Sequence, residues 1–404
     1  MSKHVMPTYR RTELCFDRGE GSWLITESNE RYLDFGSGIA VTTLGHNHPA
    51  LVDALEKQAH KLWHVSNIYK IPAQEKLADT LCAQSFADHV FFCNSGTEAI
   101  EGVIKTIRKY FAHHGQPQRH KILTFKGAFH GRTLGALAAT GNAAYLDGFG
   151  PALPGFVQIE SFDIELVKAA IDAETAAILI EPIQGEGGVR SVGGAFLQQL
   201  REVADAHDLL LAFDEVQCGI ARTGALFAHH LFDVEPDVMA IAKGLGGGFP
   251  VGAFLATAKA SAGMVAGTHG STYGGNPLAM SVSQAVIDIV GTPDFLEDVS
   301  QKAAHFRQGL SRILDSYPQI VDGLRGEGLM LGLHCVLENT KIVGALRDEY
   351  LLTVGAGENT IRLVPPLNVT KDEIDIALGA LERACQKLAD AQKLADAQKT
   401  ADEE

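Results

Sequence analysis

Asp214 and Lys243 are the residues whose type and placement point most directly to chemistry. Each closes an apolar run, Asp214 in LLLAFDEVQC (209–218) and Lys243 in DVMAIAKGLGGG (237–248). An apolar run of this length, with β-branched and aromatic members and a turn behind it, reads as a buried strand. In open α/β sheets, ligands lie outside the carboxyl ends of the strands. The two segments therefore predict an aspartate and a lysine near each other on a ligand-binding rim. That pair suits pyridoxal-phosphate chemistry: an amine to form a Schiff base, and an acid to hold a proton on the pyridine nitrogen.

Each residue also has a plainer reading. Most lysines are surface residues, but Lys243 ends an apolar run and precedes GLGGGFPVG, where glycines let backbone approach a ligand closely. A desolvated lysine at such a place is a neutral nucleophile. The glycines do not make a nucleotide loop, because that motif needs Gly-Lys-Ser/Thr after them and here the lysine comes first. Asp214 alone reads equally as a helix N-cap. The stretch Asn94-Ser95-Gly96-Thr97-Glu98 follows the strand-like HVFFC and opens a helix. Its backbone N–H groups and two hydroxyls suit an anion, although an ordinary Ser/Thr cap looks the same. The histidine pairs His46/His48, His60/His64, His113/His114 and His229/His230 lack a third ligand in a zinc pattern, so surface or capping roles fit them and no metal is expected.

The elements that must position these groups come from the wider pattern. A chain of 404 residues predicts about two or three domains and a large core. Hydrophobic residues make up 46% and charged ones 21%, an ordinary globular balance, and the net charge of -15 argues against nucleic acid or an anionic membrane as partner. The six cysteines show no C-x-x-C spacing and read as thiols of a reducing compartment. MSKHVMPTYRRTEL has no apolar core and no stretch reaches membrane-spanning length. A cytoplasmic protein is expected.

Residues 1–48 mix strand-like pieces (GSWLIT, RYLDF) with turns, and a helical pattern runs from Pro49 through LVDALEKQAHKLW. Strand and helix signals then alternate to about residue 277: HVFFC, a helix from Thr97 to about His113, KILTF, AAILIEP, a helix across Phe196–Ala206, LLLAF and DVMAIA. That alternation predicts a parallel sheet with crossover helices. Residues 278–388 read as a smaller α+β domain: helices over Leu278–Val290 and Leu296–Tyr317, strands in GLMLGLHCV and YLLTVGAGENTIRLVP, and a last helix over Lys371–Leu388. The tail, 389–404, carries a repeated KLADAQ hexad whose period matches neither 3.5 nor 3.6. It reads as a helix extension fraying into solvent.

Eight ordered motifs, DFGSGIAVTTLGHNHP, FFCNSGTEAIE, FHGRTLGALAATG, EPIQGEGGV, FDEVQCGIARTG, AKGLGGGFPVGA, GTHGSTYGGNP and RLVPPL, span about Arg31 to Pro366. Over that range the chain resembles the class III, ω-amino-acid branch of pyridoxal-phosphate aminotransferases, and within it the acetylornithine group. The resemblance implies a type I fold, with a large domain built on a mostly parallel sheet flanked by helices and a smaller C-terminal α+β domain. It implies that Lys243 carries the cofactor and shuttles the proton while Asp214 pairs with the pyridinium. It implies that Ser95, Gly96 and Thr97 hold the phosphate, Phe129 and Val216 cover the two ring faces, and Gln217 reaches the ring hydroxyl. Thr272, with Ser271, would reach the phosphate of a neighbouring subunit, so a homodimer is expected. Arg362 would bind the α-carboxylate of glutamate, Glu186 would neutralise it when no such group is present, and Arg132 would bind the distal carboxylate of either substrate. Ile39 stands where the ornithine-specific branch carries a tyrosine for the α-amine, which suits an acylated donor. The implied reaction moves an amino group from N2-acetyl-L-ornithine to 2-oxoglutarate. Succinylornithine, succinyl-diaminopimelate, ornithine and 4-aminobutyrate are alternative donors. Ile100 and Gly102 depart from the branch's usual helix.

Overall fold

The computed structural model describes residues 4–403. Its centre is a seven-stranded sheet: β1 (His89–Cys93), β2 (Lys121–Phe125), β3 (Phe156–Ile159), β4 (Thr175–Ile180), β5 (Leu210–Asp214), β6 (Val238–Ile241) and β7 (Gly252–Ala256), in spatial order β1-β7-β6-β5-β4-β2-β3. The pairs from β6 through β5, β4 and β2 to β3 are parallel, whereas β7 runs antiparallel to both β6 and β1. Every residue of β4, β5, β6 and β7 is buried, as a sheet covered by helices on both faces requires. The predicted strands β5 and β6 are neighbours, with Asp214 in register with Ala240, three residues before Lys243.

Strand β7 is absent from the sequence-based expectation, because a glycine-rich stretch preceding GAFLA reads as a turn. The helix after β1, α1 (Gly96–His113), crosses the sheet with Ile100, Val103, Ile104 and Ile107 buried. Gly102 sits inside it against β7: a Cβ there would lie 2.2 Å from the Phe254 ring. Gly102→Ala therefore tests packing against propensity. Alanine favours the helix by about 1 kcal/mol, but overpacking costs about 1–3 kcal/mol. A lower Tm is expected, measured by thermal unfolding.

The smaller C-terminal unit is an antiparallel sheet of Val321–Glu327, Met330–Cys335, Thr360–Leu363 and Val354–Ala356, packed on long helices. The N-terminal strands Phe16–Glu20, Trp23–Thr26 and Arg31–Asp34 form a further sheet, completed by Leu351–Leu352 from the C-terminal part. One expected end moves. The helix begun at Pro49 stops at Ala59, whose carbonyl accepts the Trp63 indole N–H at 2.8 Å instead of continuing the ladder. The last helix continues through the expected extension to Glu403, since KLADAQKLADAQ offers good helix formers and no glycine or proline stop.

Candidate active site

The parallel strands deliver the expected residues to one edge. Ser95–Thr97 follow β1, Phe129 and Arg132 follow β2, Glu186 follows β4, Asp214 ends β5 with Val216 and Gln217 just beyond it, and Lys243 follows β6. Asn94, Ser95, Gly96, Thr97, Phe129, Arg132, Asp214, Val216, Gln217 and Lys243 line one cavity of about 410 Å³.

Lys243 opens a 3-10 turn with φ of 41°, a left-handed backbone that lysine rarely adopts. Burial pushes its amine down to about 8, helped by the Arg362 charge and opposed by Glu186, Asp214 and Glu181. The aldehyde-reactive neutral form is thus populated near neutral pH. The sign gives a prediction. With cofactor-free enzyme, the rate of cofactor capture should climb with pH and level off near 8. An ordinary lysine would go on gaining until about 10.5. Stopped-flow absorbance across pH checks this.

Asp214 is buried and held from two sides: one oxygen accepts the Val216 N–H at 3.0 Å and the other meets His130 Nδ1 at 2.8 Å. Burial alone would lower the His130 pKa, but the hydrogen bond and charge of Asp214, with Glu181 adding, raise it overall. Glu181, also buried, accepts the Phe129 N–H at 2.8 Å and the Gly185 N–H at 3.2 Å. It thereby fixes the loop that carries the expected ring-stacking phenylalanine. Burial and then the Asp214 charge raise its pKa. Glu215 accepts the N–H groups of Ala228 and His229 at 2.5 and 2.8 Å, and burial pushes it up to about 8. His130, Glu181 and Glu215 went unseen in sequence. Their partners lie 84, 52 and 13 residues away, and no local spacing announces them.

The start of α1 fits a phosphate. Ser95 is its N-cap, accepting the Glu98 N–H at 3.3 Å, and Glu98 in turn accepts the Asn94 N–H at 2.5 Å. A Cβ on Gly96 would lie 2.7 Å from Val216, so only glycine lets these two walls approach. The Thr97 hydroxyl is already engaged. It accepts the N–H groups of Arg132 and Thr133 and bonds the Thr133 hydroxyl, which leaves its backbone N–H for an anion. Ser271 and Thr272 do not line this cavity. They border a separate one of about 350 Å³, where Ser271 Oγ lies 3.4 Å from Asn94 Nδ2.

Substrate-reading residues surround the cavity. Arg132 is exposed, with its guanidinium carbon 4.0 Å from the Tyr145 ring centre and 5.6 Å from that of Phe129. Arg362 is fully buried in the antiparallel strand Thr360–Leu363 behind Gln217. Its Nη1 donates to Glu186 Oε1 at 2.5 Å and Gln217 Oε1 at 2.9 Å, whereas its Nε and Nη2 are buried and unpartnered. Two unpartnered nitrogens on a buried guanidinium, each with an N–H to donate, suit a carboxylate ligand. Neither Arg362 nor Glu186 lines the central cavity itself, and Glu186 borders an adjoining one. Ile39 does not line the central cavity either. Residues 37–40 all have positive φ (46°, 61°, 67°, 61°), and that left-handed turn brings Val41 to the cavity instead.

Among the described residues no cluster of His, Cys, Asp or Glu could hold a metal, and no helix is long and apolar enough to cross a membrane. Of the paired histidines, His48 caps the helix at Pro49, while His229 is buried against Phe86 and Phe227.

A lysine and an anchored aspartate at the carboxyl edge of a mostly parallel sheet, beside a helix start shaped for phosphate, define a type I pyridoxal-phosphate enzyme. Residues 5–385 match the family described as aminotransferase class-III, and the chain belongs to it, which makes it a pyridoxal-phosphate-dependent transaminase. It is 56% identical over 388 residues to acetylornithine aminotransferase 1 of Bradyrhizobium diazoefficiens, covering 96% of each chain. Among solved structures it resembles the N-acetylornithine aminotransferase of Stenotrophomonas maltophilia, with a TM-score of 0.84 at 37% identity over 95% of this chain and 98% of that one. It also resembles the ornithine aminotransferase of Toxoplasma gondii, with a TM-score of 0.92 at 28% identity over 96% and 94%. Overall shape therefore does not separate the acylated donor from the free one.

Proposed function

We propose that the enzyme reversibly transfers the terminal amino group of N2-acetyl-L-ornithine to 2-oxoglutarate, giving N-acetylglutamate 5-semialdehyde and glutamate. In this reading it acts in the cytoplasm, in arginine biosynthesis, as a homodimer. The observation that carries the reading is Arg362, whose guanidinium is half engaged by Glu186 and Gln217 and half free. Glutamate presents a carboxylate beside its reacting carbon and would take the free half. Acetylornithine presents none there, and Glu186 then keeps the buried charge paired. Relatives above half identity over nearly the whole chain bear the acetylornithine name, and the apolar Val41 at the cavity suits a donor without a second ammonium.

Bound pyridoxal phosphate supplies an electron sink that makes the carbon bearing the amine acidic. Lys243 Nζ, lowered to about 8, is the base that can take that proton and return it. Asp214, fixed by His130 and the Val216 N–H, is the carboxyl group of the cavity wall that would hold a proton on the ring nitrogen. Arg132 receives the substrate carboxylate remote from the reacting carbon. Arg132→Lys keeps the charge but loses the planar fork, so KM for both substrates should rise about tenfold to hundredfold, as loss of a charged hydrogen bond predicts.

Support for the dimer comes from the exposed Leu62, Trp63, Ile68, Tyr69 and Tyr273, apolar side chains that a second copy would cover, in segments joined by Asn67 donating to the Ser271 carbonyl at 3.1 Å and His64 packing on the Tyr273 ring. In that arrangement Ser271 and Thr272 serve the neighbour's phosphate rather than their own. A panel of donors (N2-acetylornithine, N2-succinylornithine, succinyl-diaminopimelate, ornithine, 4-aminobutyrate) with 2-oxoglutarate tests the reading. The acetylated donor should have the highest kcat/KM, and a higher value for ornithine would refute it.

A further inference from the structure

A second cavity, of about 790 Å³, adjoins the one that holds Asp214 and Lys243 and is larger than it. Phe129 lines both. Glu186 and Tyr145 line the second, Glu186 being the partner of Arg362 and Tyr145 the platform beneath the Arg132 guanidinium. Arg132 itself lines the first cavity and Arg362 lies buried behind Glu186, so a side chain that contacts each carboxylate-reading arginine faces the second space.

We propose that the second cavity receives the N-acyl amide arm of the amino donor. The proposal rests on the acyl-ornithine reading above. With the donor's carboxylate on Arg132, its acylamino group sits on the same carbon, beside Tyr145 and facing the second cavity.

The lining suits a neutral amide. Its charges are already paired: Arg190 with Glu358 at 2.7 Å, Lys126 with Glu160 at 2.7 Å, and Glu186 with Arg362. A free ammonium would find no spare carboxylate there, whereas an amide needs none. What the wall offers instead is neutral hydrogen-bonding groups, among them the amides of Asn142 and Gln158. Asn142 Oδ1 is used to cap the Ala144 N–H at 3.0 Å, which leaves its amide NH2 to donate to an acyl carbonyl. Gln158 Nε2 is used on the Thr140 carbonyl at 2.9 Å, which leaves Oε1 to accept an amide N–H. A secondary amide needs that complement. Glutamate has no acyl arm and leaves the space unused.

Two variants of the holoenzyme separate this site from the rest of the machinery. Ala143 is an exposed residue of the same wall, and Ala143→Trp narrows the cavity without touching the core. Asn142→Asp keeps a capping oxygen and removes the donor. Single-turnover kinetics of each half-reaction, with Tm as a folding control, should show kcat/KM for N2-acetylornithine lowered about tenfold or more. The loss in Ala143→Trp should be larger for N2-succinylornithine, and the glutamate half-reaction should stay within about twofold of wild type. An equal loss for glutamate, or wild-type kcat/KM for the acylated donor in both variants, overturns the assignment. If the wild-type enzyme does not turn over N2-acetylornithine at all, the functional reading fails first and this assignment falls with it.

Discussion

Lys243→Ala should reduce transamination by about 10⁴-fold or more, because it removes both the nucleophile and the base that moves the proton. The fold should survive. Position 243 has a φ of 41° whichever of the two residues occupies it, so backbone strain is shared by both forms. Burial already disfavours the protonated amine that is being removed. The variant should bind the cofactor non-covalently through the start of α1 and Asp214, and lose the absorbance of the lysine-linked form. Steady-state kcat and an absorbance spectrum of the same sample check it. Near-normal turnover with an altered spectrum would detach Lys243 from the proton transfer.

Glu186→Gln should split the two half-reactions. Arg362 is fully buried, and Glu186 is its acidic partner. Uncovering a buried charge costs about 3–5 kcal/mol, but the Glu186 side chain is 29% exposed, so the lower end applies. With acylated ornithine bound, nothing else pairs Arg362, and kcat/KM for that donor should fall about hundredfold. Glutamate brings its own carboxylate and no longer competes with Glu186, so its half-reaction should hold or improve. Equal losses for both would make Glu186 a structural residue rather than the element that admits two substrate types.

How much of this was legible depends on where each residue's partners lie. Asp214 and Lys243 could be read because each ends an apolar strand, and strand ends face ligands in this topology. Ser95–Thr97 could be read because the helix start is local. His130 could not, although it touches Asp214, because that contact joins two loops 84 residues apart and a histidine in FHGRTLG carries no period. Glu181 is hidden for the same reason: it acts through the Phe129 and Gly185 backbone N–H groups. Ile39 shows a different effect. The motif named the right segment, but a left-handed turn over residues 37–40 rotates it so that Val41 faces the cavity. Strand β7 escaped because the preceding glycines look like loop, while its burial comes from being threaded between β1 and β6. The Thr97 hydroxyl accepts the N–H groups of Arg132 and Thr133, a contact 35 residues away that the local motif does not announce.

The central claim is that the ε-nitrogen of Lys243 is the covalent seat of the cofactor. Borohydride reduction of the holoenzyme, followed by proteolysis and mass spectrometry, tests it in one step. The pyridoxyl mass should appear on the peptide containing Lys243 and vanish in Lys243→Ala. A pyridoxyl label on another lysine, or enzyme that takes up no label after incubation with pyridoxal phosphate, would contradict it.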